Sequence, residues 1–459
     1  MSWRVFIVLF VCAAVSLPGE PSVRVSGHGS ERATVGNGNK IVHYQGKTHV
    51  VWQDVTREGY VNQVKSYDHS TGKWSEPFAL GHGIDNHARP IIVVDFSGFL
   101  HVVLSGHNSP VTWRRSARPN DSSEWTAPKI VGEGTYPVIL CGRDNTLYLT
   151  MRGNNRVGVH FYSKPENGEW RLTSHIVKQA EKYRNAYGAF HMGMALAPDG
   201  DIHAVIDFYE GQDEVGRGLH QAVCYLKSAD GGKTWRKADG SLAKTPARPE
   251  DMDVFARSIR TRMERLPRPE LRNFGIQVDA EGRPYVFYLS HSERPGRLLM
   301  VTLDSASHWT EKNLSPILES KWPDMRVTDG RTTIQEDDRL CILLTLSPFN
   351  DEWIQGRPSR AMSMKERTDE RVALLSSADR GKTFDVESIL SPGIAFNAPN
   401  LIQAVGANEL KEGSVPIFLH FDGSRAYPGG GDYYQKPVIE YLKAGEFWTN
   451  NVFLYGLGR

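Results

Sequence analysis

The sequence predicts an all-β fold, a single seven-bladed β-propeller built from four-stranded antiparallel blades. Three observations lead there. First, a turn opening into an apolar or alternating strand recurs as GKTHVVWQD (46–54), GFLHVVLSGHN (98–108), NTLYLTMRG (145–153), GDIHAVIDF (200–208) and GRPYVFYLSH (282–291). Degenerate copies follow as DRLCILLTL (338–346) and SVPIFLHFDG (414–423). Second, each hairpin is followed by a polar turn and an aromatic, at Trp74, Trp125, Trp170, Trp235, Trp309, Phe384 and Trp448. Third, helical periodicity is almost absent. Repeats spaced by about 45 to 75 residues describe an array, and short strands without helices make it a closed ring of sheets, which also removes exposed sheet edges. Two β-sandwich domains would leave the sevenfold recurrence unexplained.

Taken in order, the chain begins MSWRVFIVLFVCAAVSLPGEPS. Arg4, an apolar run from Val5 to Val15 and small residues ending in AVS read as a cleaved secretory leader, about residues 1–19, too short for a comfortable membrane span. A secreted or periplasmic protein is expected, with residues 20–459 as one domain and no membrane attachment after cleavage. Cys141, Cys224 and Cys341 remain, too widely spaced for a disulfide framework, so buried free thiols are expected, though one pair could bridge. The 459 residues are 23% charged with a formal net charge of +1. That balance argues against nucleic acid or an anionic membrane as partner, and any anionic ligand must be held by local cations. A monomer is expected.

The two clearest turn units, SADGGKTW and SADRGKTF, match the Asp-box pattern S-x-D-x-G-x-T-W, in which Asp and Gly shape the turn and the aromatic plugs between sheets. One stretch breaks the rhythm, RPEDMDVFARSIRTRMERLPRPELRN at about 248–273. Its arginines (257, 260, 262, 265, 268 and 272) suggest a substrate-facing flap, with a short helix around 252–264.

The repeats supply an internal control. His49, His101 and His203 follow the hairpin turn in one register, with Tyr148 and Tyr285 in the equivalent places, so that register serves the blade. The open ends differ. There stand His87, Arg89 and His107, then Tyr136 and Arg152, then His191 and Tyr209, then Asn273 and His291. His87 and His107 lie ten residues either side of the turn near Ser97, so the hairpin brings them to one end. Tyr136 and Arg152 flank the Asp144–Asn145 turn in the same way. In a propeller these ends converge on one mouth of the central channel. A zinc site of His87, His107 and His191 is an alternative that no tight ligand spacing supports. The same holds for a structural calcium.

No carboxylate pair stands at these positions, which disfavours the two-acid arrangement of most glycosidases, and no serine sits in a nucleophile-elbow context. Histidine, tyrosine and arginine suit β-elimination from a uronic acid, with no cofactor required. Arginine or charged histidine neutralises the carboxylate as the α-proton leaves. Tyrosine or histidine moves the protons.

The stretch DNH…P…D…G…LH…GHN, with TYPVILCGRDNTLYLTMRG and SADGGKTW…DGS (228–241), resembles BNR-type seven-bladed propellers that include secreted ulvan lyases. The likeness runs from about residue 36, with distinctive motifs at 83–154. It implies a polysaccharide lyase acting on uronic-acid glycans, an anionic polysaccharide. His87, His107 and Tyr136 are then catalytic, Arg152 grips the carboxylate, and His191 is a further histidine. Which histidine is acid or base stays open. Related propellers resemble this chain and act as exo-α-L-rhamnosidases through a first-blade histidine on the opposite face, where His43 stands. A non-catalytic glycan-binding propeller is a third reading. The sialidase set of three arginines, an acid and a Tyr–Glu pair is met here only faintly, by Arg89.

Overall fold

The computed structural model describes residues 22–30, 32–56, 59–154, 158–181, 188–212, 217–258, 270–291, 296–304, 308–348, 370–390, 399–410, 416–423 and 450–457. The expected leader, Trp448, and Arg260, Arg262, Arg265 and Arg268 lie outside them. Among the described residues no helix is long and apolar enough to cross a membrane.

Seven inner strands succeed one another along the chain: Ile41–Tyr44, Pro90–Val94, Lys129–Cys141, Gly188–Leu196, Leu271–Val278, Met325–Ile334 and Asn400–Leu401. Each begins an antiparallel unit of four strands, five in the first, where Lys73–Trp74 and Phe78–Gly83 both pair with Gly59–Asp68, and packs beside the next. This agrees with the seven blades expected, numbered 1 to 7 below. The ring closes where Asn400 Oδ1 of blade 7 accepts from the Lys40 amide at 3.2 Å, just before blade 1.

Blades 2 and 3 share one strand. The first half of Lys129–Cys141 pairs with Ser109–Arg115 as the outer strand of blade 2; the second half pairs with Leu147–Gly153 as the inner strand of blade 3. Blade 7 takes its outer strand from the start of the chain, since Val23–Ser26 pairs antiparallel with Asn450–Tyr455. Blades are sandwiched between neighbours, so their strands are apolar on both faces. Leu340–Pro348, LCILLTLSP, is buried at every residue but the last.

The Asp-boxes form as their sequence predicts. Asp230 accepts from the Thr234 amide at 2.9 Å and from Thr234 Oγ1 at 2.7 Å, while Ser228 Oγ accepts from the Gly232 amide. Asp379, Thr383, Ser377 and Gly381 repeat the pattern. Gly232 has φ +84°, and a Cβ there would lie 2.1 Å from Phe161 Cε1, so only glycine fits. Trp235 is fully buried in the core of blades 3 and 4.

The register histidines are structural, as the repeats imply. His49 bridges Ser66 Oγ and Asn120 Oδ1, His101 donates to Asp95 and accepts from Trp113 Nε1, and His203 meets the Tyr225 hydroxyl at 2.8 Å. Cys141, Cys224 and Cys341 are buried free thiols. The arginine-rich stretch departs from expectation. No helix begins at 252; Asp253–Arg257 is the outer strand of blade 4, paired with Arg217–Ser228. Arg248 is spent on the buried Glu210 carboxylate through two bonds of 2.7 and 2.8 Å. Of the arginines of this stretch, among the described residues, Arg272 reaches the cavity described next.

Emptying the Trp235 site should cost about 3–5 kcal/mol. Urea titration of Trp235→Ala is expected to show that loss. Leu242→Ala, an exposed leucine in the same segment, should change stability by less than about 0.5 kcal/mol.

Candidate active site

The open ends of the hairpins surround a cavity of about 330 Å³. Its wall includes His87 and Arg89 of blade 2, Tyr136 of blade 3, His191 and Tyr209 of blade 4 and Asn273 of blade 5. The convergence expected from the repeats is therefore real for these six.

Residues 35–40, ahead of blade 1, run across the axis and tie the ring together. Val35 O accepts from Arg89 Nη1 at 2.7 Å, and Gly36 O accepts from Arg331 Nε at 3.0 Å. Asn37 Nδ2 donates to Met192 O of blade 4, and Lys40 Nζ donates to Pro90 O at 2.7 Å. A side chain at Gly38 would strike Ile91 Cγ2 at 2.4 Å.

On blade 2 the two histidines stack, ring centroids 4.1 Å apart, around a carboxylate absent from the sequence reading. Asp85 Oδ2 accepts from His107 Nδ1 at 2.5 Å, and Asp85 Oδ1 faces His87 Nδ1 at 3.3 Å. Arg32 Nη1 lies 2.7 Å from His87 Nε2. A guanidinium can only donate, so Nε2 accepts and His87 is the neutral Nδ1–H tautomer. Burial, reinforced by Arg32, lowers its pKa to about 3, partly opposed by Asp85. The two imidazoles hold the Asp85 carboxyl far below its usual range against the effect of burial.

Tyr136 sits in a β-bulge between Thr135 and Val138 with φ +59°, left-handed backbone that is uncommon for a bulky residue and more so before a proline. The bulge turns the phenol inward. Its ring lies 4.6 Å from His191 and 6.3 Å from His87. Among the described residues nothing hydrogen-bonds its hydroxyl. Arg152 packs behind, guanidinium 4.8 Å from the Tyr136 ring centre, donating to Gly188 O, Asn108 Oδ1 and Thr135 Oγ1. His191 is lowered to about 3, first by burial and then by Arg272, Arg152, Arg89 and Arg331.

Four expected site residues stand elsewhere. Arg152 is buried off the wall and packs against Tyr136, with Nη1 and Nη2 bonded to protein acceptors and Nε without a partner among the described residues. His107 reaches the cavity only through His87. His291 lies off the wall, its amide donating to Glu270 O. His43 is buried toward the turn end of blade 1, Nδ1 2.9 Å from Thr48 Oγ1, with its ring edge-on to His69. Among the described residues the group with metal-ligand proximity is Asp85, His87 and His107, not the trio with His191. Its Nδ1 atoms face the Asp85 carboxylate and His87 Nε2 faces a cation, so these donors already serve one another.

Several wall residues escaped the sequence reading. Asp207 stands opposite His191 across the strand pair and accepts from the Asn273 amide at 2.9 and 3.0 Å; burial raises it to about 7. Asp329 accepts from Arg331 Nη1 at 2.9 Å and Arg272 Nη2 at 3.0 Å. Two carboxylates, Asp207 and Asp329, thus stand on the wall, beside open-end positions that were expected to hold no carboxylate pair. Applying the open-end rule to blade 6 would have found Asp329 and Arg331. Arg32 and Lys40 precede the first repeat and carry no such signal.

Comparison with known proteins fits this geometry. A family model described as a BNR repeat-containing family member matches residues 37–316, more than half of the sequence. The chain belongs to that family. Among relatives of the BNR chain, an ulvan lyase of Pseudoalteromonas sp. (strain PLSV) is 24% identical over 284 residues, 53% of this chain and 56% of that protein. An ulvan lyase of Nonlabens ulvanivorans is 23% identical over 285 residues, 54% and 59%. The matches span little more than half the length of these relatives. A solved ulvan lyase shares the fold with TM-score 0.65 at 17% identity, covering 94% of this chain and 96% of that one; it has also been solved bound to -[GlcA(1-4)Rha3S]-.

The buried histidines set an acid limit on stability. His87 and His191 near 3, with His49 and His203 near 4, are depressed below the unfolded value of 6.5. Below pH 6.5 the unfolded chain binds protons that these folded imidazoles refuse, so stability is full above 6.5 and falls toward pH 4. Denaturant midpoints measured from pH 7.5 to 4 should decline, and His203→Gln should flatten the decline. A midpoint unchanged down to pH 4 would contradict neutral burial.

Proposed function

We propose that this protein is a secreted polysaccharide lyase that cleaves uronic-acid-containing anionic glycans by β-elimination. The observation that carries the reading is the Tyr136 hydroxyl, unpartnered among the described residues, presented beside the neutral His191 within a ring of cations. The named relatives, ulvan lyases that match in part, support the substrate class.

Arg89 and Arg32 face the position where a uronate carboxylate neutralises them. Removing the C5 proton moves charge onto that carboxylate, and fixed guanidiniums stabilise it without reorganising. His191 offers the base, since His87 Nε2 accepts from Arg32 and His107 Nδ1 serves Asp85. Its low basicity in the empty cavity stems partly from four guanidiniums. A bound anion offsets these and raises the imidazole toward useful strength. As the C5–H pair forms the C4=C5 double bond, the C4–O bond breaks and Tyr136 gives its proton to the departing oxygen. The imidazolium then returns a proton to the phenolate beside it. No cofactor enters these steps. Asp85, His107 and Arg152 keep His87 and Tyr136 in place.

Incubation with -[GlcA(1-4)Rha3S]- oligosaccharides, followed by ultraviolet absorbance of the unsaturated uronate, tests the proposal. Wild-type protein should give a rising signal, and Tyr136→Phe and His191→Gln should each cut kcat by about 10²–10⁴. Arg89→Gln should raise KM as well. Release of rhamnose without unsaturation, lost in His43→Ala and kept in Tyr136→Phe, would instead establish a hydrolase.

A further inference from the structure

The two carboxylates of the cavity wall have different surroundings. Asp329 is ion-paired, taking Arg331 Nη1 at 2.9 Å and Arg272 Nη2 at 3.0 Å. Asp207 has no cation in contact among the described residues. Its oxygens accept from the Asn273 main-chain amide, a neutral donor, at 2.9 and 3.0 Å, and the residue is 5% exposed. A buried acid is ordinarily paired; this one borders a cavity whose wall holds five cations and is bonded to none of them. The elimination chemistry gives it no task.

The groups around Asp207 leave its charge uncompensated. Across the strand pairs stand His191 on one side and Val223 on the other, with Cys224 next along the chain. His191 and Cys224 are both kept neutral by burial. Tyr209 lies two residues along the same strand, on the same face. Blade 5 supplies Asn273 and, from beyond contact, the Arg272 guanidinium, which is already bonded to Asp329. Blade 6 adds Asp329 and Arg331, bonded to each other. Burial outweighs the Asn273 bonds and the pull of Arg272, and raises the Asp207 carboxyl to about 7.

We infer that an anion enters this cavity together with a proton, and that the Asp207 carboxylate is where the proton goes. The ligand's charge arrives beside a carboxylate without a counter-ion, and like charges held close in a buried site do not both persist. A proton from solvent adds to a carboxylate oxygen, forming one O–H bond, and no other bond changes. Below about pH 7 the empty protein already holds that proton, so affinity is full. As pH rises through 7 the proton must be taken up on binding, and affinity falls. The inference rests on the lyase reading only for the place of the anion.

Calorimetry of -[GlcA(1-4)Rha3S]- oligosaccharides binding to Tyr136→Phe protein, run in buffers of different ionisation heat, counts the protons exchanged. The substitution blocks the proposed turnover and removes the neighbouring phenol from the count. At pH 7.5 about half to one proton should be taken up per ligand, and affinity should drop about tenfold between pH 7 and 8.5. His191 and Lys40 are the other groups that an anion helps to protonate, and variants separate them. Adding Asp207→Asn, which keeps an acceptor for the Asn273 amide, should abolish most of the uptake and hold affinity level to pH 8.5. The uptake should persist when His191→Gln is added instead. Binding without uptake in the Tyr136→Phe protein, which needs no change at Asp207, would overturn the inference. Uptake kept in Asp207→Asn would do the same. Uptake that depends on Asp207, in a protein whose wild type yields no unsaturated product, would overturn the elimination chemistry alone. Failure to bind the oligosaccharide at all would overturn both.

Discussion

Pairing between the two ends of the chain holds the rest in place. Val23 lies opposite Leu454 in the outer strand of blade 7, so the ring is closed by backbone hydrogen bonds spanning nearly the whole sequence. Only a closed ring brings the seven inner strands to a common axis. Only then can residues 35–40 accept from blades 2, 6 and 7 and donate to blade 4 at once. Such closure is entropically expensive and slow to find, and the apolar interfaces between blades are what offset it. The cavity is a product of closure: no single blade contains it, and none of its walls has meaning apart from the others.

A protein of net charge +1 has gathered five cations around one small space. Burial there depresses Lys40 well below its ordinary range and Arg89 to about 9. The fold tolerates this by aiming main-chain carbonyls at them: Pro90 at Lys40, Val35 at Arg89, Gly36 at Arg331. These dipoles soften the repulsion without cancelling the charge. An arriving anion therefore meets a field already in place, and its binding relieves strain that the empty protein carries.

Much of this was legible in the sequence, because a repeat is its own control. Comparing copies assigned His49, His101 and His203 to the scaffold, and their buried hydrogen bonds within the blades agree. The same comparison sent His87, Arg89, Tyr136, His191, Tyr209 and Asn273 to one mouth, where the structure has them. What escaped follows no register. Asp85 serves through a tight turn, with the His87 amide bonded back to its carboxylate at 2.7 Å, and turns carry no repeat signal. The axial segment is unique in the chain, so nothing marked Arg32 or Lys40. Arg152 stood in the right place but faced inward from the wrong side of Tyr136, a matter of side-chain direction that strand symmetry does not decide. The outer strand of blade 7, borrowed from the N-terminal end, was likewise invisible to a comparison of hairpins.

Tyr136 is held in a backbone conformation that suits glycine or asparagine. A smaller residue there would ease the main chain while emptying the cavity of its phenol. Under the proposed chemistry, selection for robustness and selection for turnover pull this position in opposite directions. Lineages that drop the chemistry while keeping the ring should be recognisable by a relaxed residue at this one bulge.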